Sequence, residues 1–185
     1  DRTAPCWWQT SCSYRLGLNP EQARYGFLAP LVGHGQLRGH IDMTETGKSP
    51  LNIAVIGCGR IAGHHCRSIA AAEGAQIVAL CDLESKKAQV FAEEHQVGWY
   101  ANYRDMFVAH PEIDIVVIAT PSGMHCEHAI DVIEGYGKHV VVEKPTFMHP
   151  TQADAAFDAA ERAGVKLFPV FQNRYNKAVD RVRHA

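Results

Sequence analysis

The chain has 185 residues, which suits one domain or one domain with part of another. With 46% hydrophobic residues it can bury a core, and its net charge of −2 supplies no basic field for nucleic acid. Its apolar runs fall far short of the roughly 20 residues that cross a bilayer, so neither nucleic acid nor membrane is an expected partner.

Residues 1–42 show no sustained period of 2 or 3.6. The first residue is Asp1, and Met43 follows before the polar stretch TETGKSP. This pattern reads as a non-native or disordered extension over 1–42, a start at Met43 and a polar lead over 43–50. A targeting segment is the rival reading. FLAPLV is too short for a signal-peptide core, contains Pro30, and has no twin-arginine motif.

From residue 51 strands and helices alternate. LNIAVI is an apolar run of strand length, and IAGHHCRSIAAAE has helical character. AQIVALCD is a second strand ending in an acid, and ESKKAQVFAEEH a second helix. GWYANYRDMFVAHP holds a short strand and a short helix, and IDIVVIATP is a β-branched strand. GMHCEHAIDVIEGY is a helix, KHVVVEKP a strand, PTQADAAFDAAERAG a helix and VKLFPVF a strand. Apolar strands separated by helices imply a parallel sheet covered on both faces, hence a doubly wound α/β fold over 51–171. QNRYNKAVDRVRHA, 172–185, begins something new.

The six cysteines make no CxxC pair, and a zinc site would need closer ligand spacing, so no metal is expected. Scattered thiols fit a reducing cytoplasm. His64 and His65 sit at a helix start, where a surface or capping role is the default.

GCGRIA follows a strand and opens a helix, the context in which GxGxxG/A binds a dinucleotide. Gly57 permits the turn, Gly59 lets main chain approach a pyrophosphate, and Ala62 lets the helix pack on the sheet. Cys58, Arg60 and Ile61 complete the loop, whose N–H groups meet phosphate at a helix N-terminus. Asp82 closes the second strand 25 residues after Gly57, placed to accept hydrogen bonds from an adenosine ribose. Its carboxylate would repel the 2′-phosphate of NADP, which favours NAD. Arg60, Lys86 and Lys87 could offset this, so NADP stays possible. A methyltransferase loop would carry an acid just before the first glycine, where this chain has Val55 and Ile56.

ATPSGMHCEHA (119–129) and VVVEKP (140–145) also lie at strand carboxyl ends, where open α/β sheets bind ligands. GCGRIA, ATPSGMH and EKP in that order resemble the N-terminal Rossmann domain of the glucose-fructose oxidoreductase / inositol dehydrogenase / MocA (Gfo/Idh/MocA) family. The resemblance implies a dehydrogenase of sugars, inositols and their derivatives, homo-oligomeric when full length. It implies a second α/β domain, of which 172–185 would be the truncated start, in a gene product about twice as long. This piece alone would then bind dinucleotide without turning over substrate. It makes Lys144 the catalytic residue beside the nicotinamide, with Glu143 its neighbour at the cofactor. Thr120, Pro121, Ser122 and His125 would line the nicotinamide half, although His125 could instead cap the next helix. A lysine acting as base must shed its proton, which burial and the positive ring favour.

QNRYN resembles enzymes that oxidise the 3-hydroxyl of UDP-N-acetylglucosaminuronic acid. On that likeness Gln172, Asn173 and Arg174 would meet an anionic sugar, the arginine through its bidentate fork. A non-catalytic dinucleotide-binding sensor is the alternative function. It would need the glycine loop but not a lysine at the nicotinamide.

Overall fold

The computed structural model describes residues 49–184. The expectations for 1–42, the first residues of the 43–50 lead, Cys6 and Cys12 lie outside them. The described elements run β1 (Leu51–Ile56), α1 (Ala62–Ala70), β2 (Ala75–Cys81), α2 (Ser85–His95), β3 (Gly98–Tyr100) and α3 (Tyr103–Ala109). They continue with β4 (Ile115–Ile118), α4 (His125–Tyr136), β5 (His139–Val142), α5 (Pro150–Ala163), β6 (Leu167–Pro169) and α6 (Lys177–Arg183).

All six strands are parallel, in the order β3-β2-β1-β4-β5-β6. The direction of winding reverses between β1 and β4, the switch point at which such sheets bind ligands. Alternation of side chains along β1 explains the two-faced core. Ala54 and Ile56 join Met106, Val132, Ile133 and Ala156 on one face. Ile53 and Val55 join Ala62, Cys66, Ile69 and Ala88 on the other. Thus α1 and α2 cover one side, and α3, α4 and α5 cover the other.

The central strands are shorter than their apolar runs suggest. β4 stops at Ile118 and β5 at Val142. The residues after them, 119–121 and 143–145, leave the ladder as loops at one edge of the sheet. A 3-10 turn (Ser122–Met124) then leads into α4. Past β6, a second 3-10 turn (Gln172–Tyr175) precedes α6, which buries no residue. No helix among the described residues is long and apolar enough to cross a membrane.

Candidate dinucleotide site

Three strand ends build the site, beginning with β1. Gly57 has φ +96°, and a Cβ there would lie 2.6 Å from the Ala119 carbonyl carbon. Only glycine lets the exit of β1 pass so close to the exit of β4 in this left-handed conformation. The Gly57 N–H donates to the Cys81 carbonyl at 2.8 Å. The next amide, Cys58 N–H, donates to Asp82 Oδ2 at 2.8 Å, while Asp82 Oδ1 accepts Glu84 N–H at 2.8 Å. Asp82 therefore ties β2 to the glycine loop. A carboxylate has about four acceptor positions, so each oxygen keeps one.

Beyond Cys58 the loop opens. A Cβ on Gly59 would meet nothing within 4 Å. No carbonyl among the described residues receives the N–H groups of Gly59, Arg60 or Ile61. Gly63 packs closely, its notional Cβ 3.2 Å from Phe91 Cε1, so α1 lies tight against α2. The Cys58 thiol points inward, and burial, with the Asp82 carboxylate adding to it, pushes it up to about 12.

At the end of β4, Ala119 N–H donates to the Ile56 carbonyl at 2.8 Å. Thr120 Oγ1 lies 3.0 Å from His128 Nδ1, and burial lowers the pKa of that imidazole, favouring its neutral form. His125 is 1% exposed. Its Nε2 lies 2.7 Å from the Thr120 carbonyl and its Nδ1 2.9 Å from the Pro145 carbonyl.

At the end of β5, Glu143 is 6% exposed. Its Oε1 lies 2.8 Å from His65 Nε2 on α1, and its Oε2 accepts the Lys144 N–H at 2.8 Å. Lys144 itself is exposed, and its bond to Pro145 is cis.

A cavity of about 270 Å³ opens between these ends, lined by Arg60, Ile61, His64, Ala119, Thr120, His125, Glu143 and Lys144. Six residues named from sequence therefore meet in one place. Gly57, Cys58, Gly59 and Asp82 form the adjoining loop. Pro121 precedes the 3-10 turn that Ser122 opens, and both lie outside the cavity lining. Gln172, Asn173 and Arg174 are exposed on the segment after β6 and are not brought to the cavity, and the Arg174 guanidinium lies over the Phe171 ring at 5.1 Å.

Two expectations need correction. His125 does not cap α4, whose N-cap is Met124 with no side-chain bond, because both its nitrogens face loop carbonyls instead. Lys144 is exposed within this chain rather than buried, although it lines the cavity.

His64 is exposed at the helix start as expected, but His65 is half-buried against Glu143. Ala62, Cys66 and Ile69 form the inward stripe of α1, and His65 lies three residues after Ala62 and four before Ile69. Helical periodicity thus marks it as a polar residue turned toward the sheet.

The residues present fit a dinucleotide. Open space beside Gly59 and unclaimed amides meet phosphate chemistry, and Asp82 keeps acceptor sites at the loop. Residues 51–171 match the oxidoreductase family with an NAD-binding Rossmann fold. D-glucoside 3-dehydrogenase of Escherichia coli is 31% identical over 128 residues, which cover 69% of this chain and 36% of that protein. The WlbA dehydrogenase of Bordetella pertussis, solved with NADH and UDP-GlcNAcA, is 34% identical with a TM-score of 0.68, covering 74% of this chain and 41% of that one. The myo-inositol 2-dehydrogenase of Lactobacillus plantarum is 27% identical with a TM-score of 0.66, covering 74% and 40%. The chain thus spans about two-fifths of the proteins it matches. Its strand order, glycine loop and family match agree: this chain belongs to the Gfo/Idh/MocA oxidoreductases, whose fold here is the NAD-binding Rossmann domain.

Proposed function

We propose that this chain is the cofactor-binding part of a dehydrogenase that oxidises a secondary alcohol of a sugar, polyol or nucleotide sugar, with Lys144 as its proton-transfer residue. One observation carries the reading. Lys144 opens on the same cavity as Arg60 and Ile61, the residues at the start of the phosphate-facing helix.

Gly57, Cys58, Gly59, Arg60 and Ile61 would hold the pyrophosphate, and Asp82 the adenosine ribose. Thr120, His125, Glu143 and Lys144 would face the nicotinamide, with Pro121 and Ser122 at its outer edge. When bound, NAD supplies the acceptor for the hydride leaving the carbinol carbon. The Lys144 amine takes the hydroxyl proton in that direction, and its ammonium returns a proton to the carbonyl oxygen in reverse. His125 has both nitrogens engaged by carbonyls and contributes only its ring face.

NAD is the preferred dinucleotide. The Asp82 carboxylate beside the glycine loop would repel a 2′-phosphate, Lys87 is paired with Glu84, and Arg60 borders the Lys144 cavity. Exposed Arg60, His64 and Lys144 around one cavity favour an anionic substrate such as a nucleotide-sugar acid. Buried free thiols at Cys58, Cys66 and Cys81 favour a reducing, cytoplasmic setting.

The test is a full-length gene product screened against UDP-sugars, UDP-sugar acids, free sugars and polyols with NAD and NADP. Reduction of NAD that depends on one of these substrates is the expected result. Dinucleotide binding with no turnover on any of them would refute the enzyme reading, and equal affinity for both dinucleotides would refute the preference.

A further inference from the structure

Lys144 presents a problem of precision. Its side chain is long and exposed, and no hydrogen bond among the described residues holds its ammonium. A reacting group displaced by about 1 Å can lose about 100-fold in rate. The accuracy must therefore come from the main chain on either side of it.

Both sides are gripped by histidines from elsewhere in the fold. On the amino side, Glu143 is buried, takes the Lys144 N–H on one oxygen, and meets His65 Nε2 on the other. Because the carboxylate can only accept, His65 Nε2 must carry the proton. On the carboxyl side, Pro145 presents its carbonyl to His125 Nδ1, while His125 Nε2 faces the Thr120 carbonyl. Carbonyls also only accept, so a proton on His125 Nδ1 is what ties the ring to the Pro145 carbonyl. One histidine comes from α1, directly after the glycine loop, and the other from the start of α4. The lysine loop is thereby tied to the phosphate-facing helix and to the loop after β4.

We infer that His65 and His125 are positioning residues that hold Lys144 from both sides, His65 through Glu143 and His125 through Pro145. The inference rests on the proposed role of Lys144 and adds what fixes its place.

The test compares His65→Leu, which cannot donate, with His65→Gln, whose amide nitrogen can occupy the place of Nε2. In the full-length enzyme His65→Leu should lower kcat about 100-fold while NAD affinity stays within about twofold, and His65→Gln should recover to within about tenfold of the unsubstituted enzyme. A kcat for His65→Leu within about threefold of the parent, or no recovery in His65→Gln, overturns the His65 arm. The His125 arm is read by nitrogen NMR of the imidazole, where Nδ1 should carry a proton. A bare Nδ1 overturns it. If the parent enzyme turns over none of the screened substrates, the functional proposal fails, and the brace is still judged in this chain by hydrogen exchange. The Lys144 amide should then exchange about tenfold faster in His65→Leu than in the parent. An unchanged rate sinks the brace whatever the activity.

Discussion

The two ends of the sheet make opposite use of the same chemistry. At the amino ends of the strands, polar groups satisfy one another at the surface. Asn52 N–H donates to Asp114 Oδ2 at 2.8 Å, Asn52 Nδ2 to the Glu112 carbonyl at 3.1 Å, and Gln76 Nε2 to Asn52 Oδ1 at 2.8 Å. Lys138 Nζ donates to the Pro111 carbonyl at 2.8 Å, and Lys166 N–H to His139 Nδ1 at 3.0 Å. At the carboxyl ends, the buried polar side chains among the described residues gather: His125, His128 and Glu143. Burying such groups is unfavourable unless each is paired, and here the pairing partners are loop main chain and other loop side chains. One end is a closed seam that holds the strands in register. The other is a braced opening whose unclaimed amides await a ligand.

Substitutions should separate the two ends, and the largest effect belongs to the open one. Lys144→Ala in the full-length protein should lower turnover by about 100- to 10,000-fold while leaving NAD binding intact. Turnover near that of the parent would remove Lys144 from the mechanism.

The glycine loop offers a sharper contrast within the same end. Gly57→Ala forces a Cβ into the Ala119 main chain at φ +96° and should cost about 3 kcal/mol in urea unfolding. Gly59→Ala adds a methyl to open space and should leave stability within about 0.5 kcal/mol. Its NAD affinity, measured by calorimetry, should nonetheless fall. Unchanged affinity in Gly59→Ala would mean that no ligand approaches that backbone.

Buried thiols on both faces of the sheet, Cys58 and Cys66 on the α1 side and Cys81 on the other, set an alkaline limit. Burial raises Cys58 and Cys81 from 9.0 to about 12, and Cys66 from 9.0 to about 11. The folded chain therefore keeps these protons at a pH where the unfolded chain loses them. The thiols' contribution should be constant below pH 9, and stability should then fall as pH rises toward those values, by up to about 1.4 kcal/mol per pH unit for each thiol. Urea unfolding at about pH 8 and about pH 10 checks this, and equal stabilities would contradict the burial.

The closed end should give the smallest effect. Asp114→Ala strips the Asn52 amide of its acceptor and should cost about 1 kcal/mol of stability with no change in NAD affinity. A loss of NAD affinity there would blur the distinction between the ends.

Much of this was legible in the sequence, because it depends on local pattern. Alternating apolar strands and amphipathic helices dictate a parallel doubly wound sheet. Gly57 and Gly59 announce a main chain that must turn and be approached, and EKP and ATPSGMH lie just past strand ends. The roles of the histidines were not legible in the same way. His65 and Glu143 are 78 residues apart, and nothing near either in the sequence names its partner. His125 lies 20 residues before Pro145, and only the adjacency of β4 and β5 brings its ring to that carbonyl.

What the sequence by itself determined was the order of elements, the glycine loop and the set of strand ends bearing polar residues. Those follow from period, turn chemistry and backbone sterics acting over a few residues. What only the tertiary structure decided was which of these residues share a cavity, which point away from it, and how the exposed Lys144 is held by buried neighbours. Such pairings arise when strands distant in sequence lie side by side, and no local preference encodes them.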